Sequence, residues 1–202
     1  MRINKILVVL LFPLIAEVMI SCCDCIDSLI GHYTNKTMIV KNLDNSGPNP
    51  LTTTTNSVPK EAFGIRVQLT RERTACLAPP QSFFIQSAYA TSCKCPPPNQ
   101  LFAQDSVVTI QIFTLNDFDP NHPANSDVSD YFKVFEGSTF STITDFIKKK
   151  KTVLYSDDEL ELDFDVLLMT PPSLNQSHKF KVKITLSDGR ILEEMTPSID
   201  LI

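Results

Sequence analysis

The chain reads as a mainly β protein, an antiparallel β-sandwich open to an immunoglobulin-like strand arrangement, with one short helix. Three observations predict this. Leu160, Leu162, Phe164 and Val166 alternate with acids, and Phe180, Val182, Ile184 and Leu186 alternate with Lys179, Lys181, Lys183 and Thr185. A period of two places each apolar set on one face of a half-buried strand. Ser187-Asp188-Gly189-Arg190 then supplies an Asp-Gly hairpin turn into Ile191–Met195. Finally, short strand-like runs recur along the chain with turn residues between them, the pattern of a sandwich.

Taken in order, Met38–Lys41 reads as a small strand, and Asn42–Lys60, with Gly47-Pro48-Asn49-Pro50, as an exposed loop. In Phe63–Leu69, Ile65, Val67 and Leu69 alternate with Arg66 and Gln68, a half-buried strand. Thr74–Pro98 is cysteine- and proline-rich, and Pro96-Pro97-Pro98 forbids helix or central strand. Ser106–Leu115 is rich in β-branched residues with apolar positions on both faces, so it is expected centrally in a sheet. Asn116–Asp127 is turn-rich, Val128–Phe135 is a short element, and Thr142–Lys151 carries Ile143, Phe146 and Ile147 at helical spacing. Strands Glu159–Val166 and Lys179–Leu186 have outer faces of opposite charge and are expected to pair antiparallel, acids opposite lysines.

The N-terminus carries an address. Arg2 and Lys5 precede an uncharged run, Ile6–Ala16, which suits a signal peptide and is too short to span a bilayer. Val18-Met19-Ile20-Ser21-Cys22 follows, apolar residues and then a small one before cysteine. This resembles the lipobox of bacterial lipoproteins, which implies cleavage before Cys22 and acylation of its sulfur. Cys23 is the alternative site. The expected organisation is residues 1–21 as signal peptide, 22–60 as tether and loop, and 61–202 as the β-rich domain, with a cysteine-rich insertion at 74–98. The implied location is the cell envelope, lipid-anchored, on the outer membrane.

Six cysteines in an exported chain suit a compartment where disulfides persist. With Cys22 acylated, Cys25, Cys76, Cys93 and Cys95 are the disulfide candidates, with Cys23 making an odd count; acylation at Cys23 leaves an even set. A bridge from Cys76 to Cys93 or Cys95 would close a loop of about 18 to 20 residues, worth about 3 kcal/mol. The one-residue spacers Cys23-Asp24-Cys25 and Cys93-Lys94-Cys95 do not fit structural zinc.

Eighteen cations against 23 acids give a net charge of −5 and no basic stripe, which argues against nucleic acid as a partner. The one basic run, Lys148–Lys151, reads as a solvated helix end complementing the helix dipole. Asp117, Asp119 and Asn121 stand at alternate positions, as in the first half of a calcium loop. His122 then replaces the needed glycine and Val128 the bidentate glutamate, so a solvated, turn-forming loop is the simpler reading. The carboxylates of Asp157–Asp165 read as an exposed strand face, and His32, His122 and His178 sit in no nucleophile, zinc or phosphate motif. No enzyme and no cofactor is expected.

Several segments together resemble an uncharacterised lipoprotein family of Bacteroidota with a domain of unknown function. They are Ser21-Cys22-Cys23-Asp24-Cys25, Cys76 with Ala88–Cys95, Leu115–Asp119 with His122-Pro123, and Leu186–Arg190. Asp27-Ser28-Leu29 and Asp105-Ser106-Val107 are similar to the O-glycosylation motif of that phylum. The resemblance implies an envelope location and assigns no activity, ligand or catalytic residue. The function expected is a membrane-anchored binding or accessory module with a protein or glycan partner; the alternative is a structural subunit of a fimbria-like surface assembly.

Overall fold

The computed structural model describes residues 30–74, 100–150, 152–155 and 157–202. The signal peptide, Cys22, Cys23, Cys25, Cys76, Cys93 and Cys95 lie outside the described residues, as does the Asp27-Ser28-Leu29 motif. Among the described residues no helix is long and apolar enough to cross a membrane.

The strands, in chain order, are β1 (Ile30–Asp44), β2 (Leu51–Thr52), β3 (Ser57–Val58), β4 (Phe63–Thr74), β5 (Gln100–Ala103), β6 (Val107–Thr114), β7 (Phe132–Glu136) and β8 (Thr139–Ser141). After helix α1 (Ile143–Lys149) come β9 (Val153–Leu154), β10 (Glu161–Leu168), β11 (Ser177–His178), β12 (Phe180–Leu186), β13 (Ile191–Met195) and β14 (Ile199–Leu201). A large sheet runs β8-β7-β10-β4-β1-β5-β9, with β2 added to β1; β13-β12-β6 form a second sheet and β11-β14-β3 a third. The inner faces of β1, β4, β10 and β7 meet those of β6, β12 and β14 in one continuous core. This is the expected β-sandwich, with β5 parallel to β1 and β3 parallel to β14 as departures from pure antiparallel pairing.

Strand β10 does not pair with β12. It lies between β4 and β7, while β12 lies between β6 and β13 in the other sheet. The apolar faces are as expected: Phe164 and Val166 are buried, and so are Phe180, Val182 and Ile184. They meet across the core instead of side by side. Two strands with one apolar face each satisfy burial in either way, and alternation alone does not choose between them. The charges find nearer partners. Asp165 takes a bidentate pair from Arg66 of β4, Nε at 2.7 Å and Nη2 at 2.8 Å, and Asp163 accepts from Gln68 at 2.9 Å. Lys181 reaches Glu193 of β13 at 3.9 Å.

Strand β6 is an edge, not a central strand. Its free side is covered by the following loop, whose Val128 N–H donates to Ile112 O at 2.8 Å and whose Ser129 hydroxyl accepts from Ile112 N–H at 2.8 Å. That loop hides the edge as a neighbouring strand would. The outer apolar position Val108 stays half exposed.

Strand β1 is far longer than the expected Met38–Lys41 and reaches back into the presumed tether, between β4 and β5. A bulge at Lys36 shifts its register on β4. Counting back by twos from the buried Met38 would put Lys36 and Thr34 inside. The extra residue instead turns Asn35 and Tyr33 to the inner face, both about 2 % exposed. The Asp-Gly hairpin forms as expected, with Gly189 at φ +87° and Leu186 N–H on Arg190 O at 2.9 Å. Helix α1 starts where Thr142 caps it, the Oγ1 accepting from Asp145 N–H at 3.1 Å.

His178, at the end of β11, is fully buried between the rings of Phe118 and Phe180. Its Nε2 lies 3.1 Å from Leu174 O and its Nδ1 meets no hydrogen-bond partner among the described residues, so the neutral ring donating from Nε2 fits this site. Burial holds its pKa below the ordinary imidazole value, against the pull of nearby backbone carbonyls. The unfolded chain takes up this proton near pH 6.5, the folded chain only at lower pH. The contribution is therefore complete above about pH 6.5 and is lost as pH falls below it. Denaturant midpoints taken from about pH 7 to about pH 5.5 should fall, and His178→Gln should flatten that slope. An unchanged slope in the variant would remove His178 as its source.

Candidate functional site

An enclosed cavity of about 260 Å³ opens where the two sheets part beneath α1. Each element supplies a wall. β4 brings Leu69 and Arg71, β10 brings Leu162 and Phe164, and Ile110 of β6 and Ile184 of β12 close the far side. Helix α1 and the residue after it contribute Phe146, Ile147, Lys148 and Lys150. Tyr33 and Asn35 enter through the β1 bulge, and Ala103, Asp105 and Ser106 through the turn after β5. Phe146 and Phe164 pack ring to ring at 4.8 Å, making a rigid apolar back wall.

Arg71 is the next inner-face position after Phe63, Ile65, Val67 and Leu69. It sits where the apolar stripe of β4 runs out of core. Its guanidinium donates to Glu159 O at 2.9 Å and, weakly, to Asn35 Oδ1 at 3.4 Å, and lies 5.2 Å from the Tyr33 ring. Lys150 folds back along the helix, its Nζ 4.3 Å from the Phe146 ring centroid. Among the described residues no carboxylate comes within ion-pair distance of either cation. Burial pulls Lys150 below its ordinary pKa, Glu136 opposing and Arg71 adding to the effect. Burial also lowers Arg71, offset in part by Tyr33, Glu159 and Asp105. Tyr33 is raised, chiefly by its own burial.

Asp105, 2 % exposed, is already occupied. It accepts from the Asn35 backbone N–H at 3.0 Å, from the Asn35 amide, the Thr34 hydroxyl and Arg190 Nη2. Arg190 donates further to Asn35 O at 2.9 Å and to Thr34 Oγ1 at 2.7 Å, tying the β12–β13 hairpin to β1. The acid of the Asp105-Ser106-Val107 motif is thus a buried structural anchor.

The calcium candidates lie elsewhere, in the loop after β6, where Asp117 and Asp119 bond to the chain itself. Asp117 Oδ1 accepts from Ala124 N–H at 2.9 Å; Asp119 Oδ1 accepts from Asn121 N–H at 2.7 Å and His122 N–H at 2.9 Å. Asn121 contributes its backbone to that turn. The His122 ring, 2.9 Å from Asp119, and the Tyr131 hydroxyl complete a small surface cluster. Partial burial works to raise the Asp119 pKa, but His122 and the two N–H groups together hold it below the ordinary value. Among the described residues no group of three or more His, Cys, Asp or Glu is placed to hold a metal.

Sequence reading missed the cavity cations. Lys148–Lys151 reads as solvated, and Lys148 and Lys149 are exposed, but Lys150 is half-buried over Phe146. Two signals were available: a cation continuing the apolar phase of β4, and a lysine four residues after a helix phenylalanine.

No curated protein and no solved structure matches this chain. Residues 35–197 match the Domain of unknown function (DUF5034), a span that includes every cavity-lining residue except Tyr33. The chain belongs to the DUF5034 family.

Proposed function

We propose that this protein is a lipid-anchored lipoprotein of the bacterial envelope whose β-sandwich is a binding module, with the cavity under α1 as its site. One observation carries the module reading: an enclosed, largely apolar space at the end of the sandwich, rimmed by polar groups. Ligand sites favour such concavities, where apolar walls supply affinity and a few polar groups fix orientation. The signal sequence and Ser21-Cys22 support the anchor, and the resemblance to Bacteroidota lipoproteins supports the outer-membrane location. A fimbria-like subunit draws less support, because β6, one edge of the smaller sheet, is covered and β13, the other, carries Glu193 and Glu194.

Intact mass of the protein from its own membranes should show loss of Met1–Ser21 and gain of acyl chains at Cys22. A Cys22→Ala variant that stays on membranes with acylation at Cys23 would move the anchor by one residue. For the module, methyl resonances of Ile110 and Ile184 should shift when octan-1-ol, octanoate or octylammonium is added to the full chain in lipid nanodiscs. Leu162→Trp, which fills the cavity from its rim, should abolish the shift while the protein stays folded by thermal melting. Identical spectra of wild type and Leu162→Trp with all three probes would sink the module reading.

A further inference from the structure

Resting on that reading, we infer that the cavity takes a compact amphipathic anion: an apolar acyl or aryl body on the Phe146–Phe164 wall, with one carboxylate-type head between Arg71 and Lys150. The charge arrangement carries this. On a chain of net charge −5, the mouth of this one cavity holds Arg71 and Lys150, with Lys148 beside them. Asp105, the one acid lining it among the described residues, is already bonded to Arg190, Thr34 and Asn35. Glu136 and Glu159 act on the two cations only from beyond ion-pair distance.

Partly desolvated cations without a counter-ion are costly, and here two line one cavity with no carboxylate among the described residues within ion-pair distance of either. An anionic head entering between them would relieve both costs. It would meet guanidinium N–H groups that the bonds to Glu159 and Asn35 leave over. Lys150 is held against the Phe146 face, so its ammonium stands at the boundary between the polar mouth and the apolar wall. A head–tail molecule has that same boundary. The volume, about 260 Å³, lies below the range of roughly 300–1,000 Å³ usual for drug-sized ligands, so the body is short.

The test uses the same methyl resonances and three probes that share one tail. Octanoate should bind at least about tenfold more tightly than octan-1-ol and more tightly still than octylammonium, about 1.4 kcal/mol for the first comparison. Arg71→Gln and Lys150→Gln should each remove most of the advantage of octanoate over octan-1-ol. If octan-1-ol or octylammonium binds as well as octanoate, and Leu162→Trp still blocks it, the cavity is a binding site but not for anions, and this inference falls alone. Octanoate binding that survives both Arg71→Gln and Lys150→Gln also overturns it. If no probe responds to Leu162→Trp, the module reading falls, and the inference with it.

Discussion

Phe180→Ala should destabilise the protein by about 3–5 kcal/mol, the range for deleting a buried aromatic side chain and leaving a cavity. Phe180 is fully buried at the centre of an aromatic cluster. It stacks on Phe63 at 5.3 Å and meets Phe132 and Phe118 edge-on at 5.6 and 6.4 Å. These rings come from β4, β7 and the loop after β6, so one truncation loosens the contact between both sheets. The surroundings are rigid strands with little scope to collapse into the void, which places the loss toward the upper end. The next residue supplies the control. Lys181 points outward, 3.9 Å from Glu193 and 5.2 Å from the Phe113 ring. An exposed pair of this kind is worth about 0.2–1 kcal/mol, less in salt. Chemical denaturation of Phe180→Ala and Lys181→Ala should separate them clearly. Equal losses would mean that the inner face of β12 does not form the core described.

Asp105→Ala should cost about 2–4 kcal/mol, far more than a surface carboxylate, because its acceptors serve several buried donors at once. Without it the Asn35 N–H and amide have lost their shared acceptor, and Thr34 and Arg190 lose theirs. Arg190 is 44 % exposed on its side chain, so solvent recovers part of its loss, and the figure stays below that of a fully buried ion pair. Asp105→Asn keeps one acceptor for the Asn35 N–H and should lie between wild type and Ala. The double variant Asp105→Ala/Arg190→Ala should lose less than the sum of the single changes, since both disrupt one network. Denaturant midpoints of wild type, the three single variants and the double variant supply the comparison. A loss below about 1 kcal/mol for Asp105→Ala would show that the network does not hold β1 to the hairpin.

Residue pattern by itself determined the inner faces of β4, β10 and β12. Ile65, Val67 and Leu69, Phe164 and Val166, and Phe180, Val182 and Ile184 are all buried as their alternation requires. The Asp188-Gly189 turn was equally legible, since it is set by neighbours within four residues. These are local consequences of backbone geometry and of moving apolar side chains out of water.

Only the tertiary structure decided which strands are neighbours. β10 and β12 meet across the core and not along an edge, because burial energy is non-directional and rewards either arrangement equally. The bulge at Lys36 inverts the facing of Asn35 and Tyr33, an effect of one unpaired residue that periodicity cannot register. The candidate site arises the same way. Arg71, Lys150 and Asp105 are separated in sequence and converge only where the two sheets part, so the local hints at Arg71 and Lys150 do not by themselves place them together. What converts them into a site is the loss of water around them, and that depends on every wall being in place.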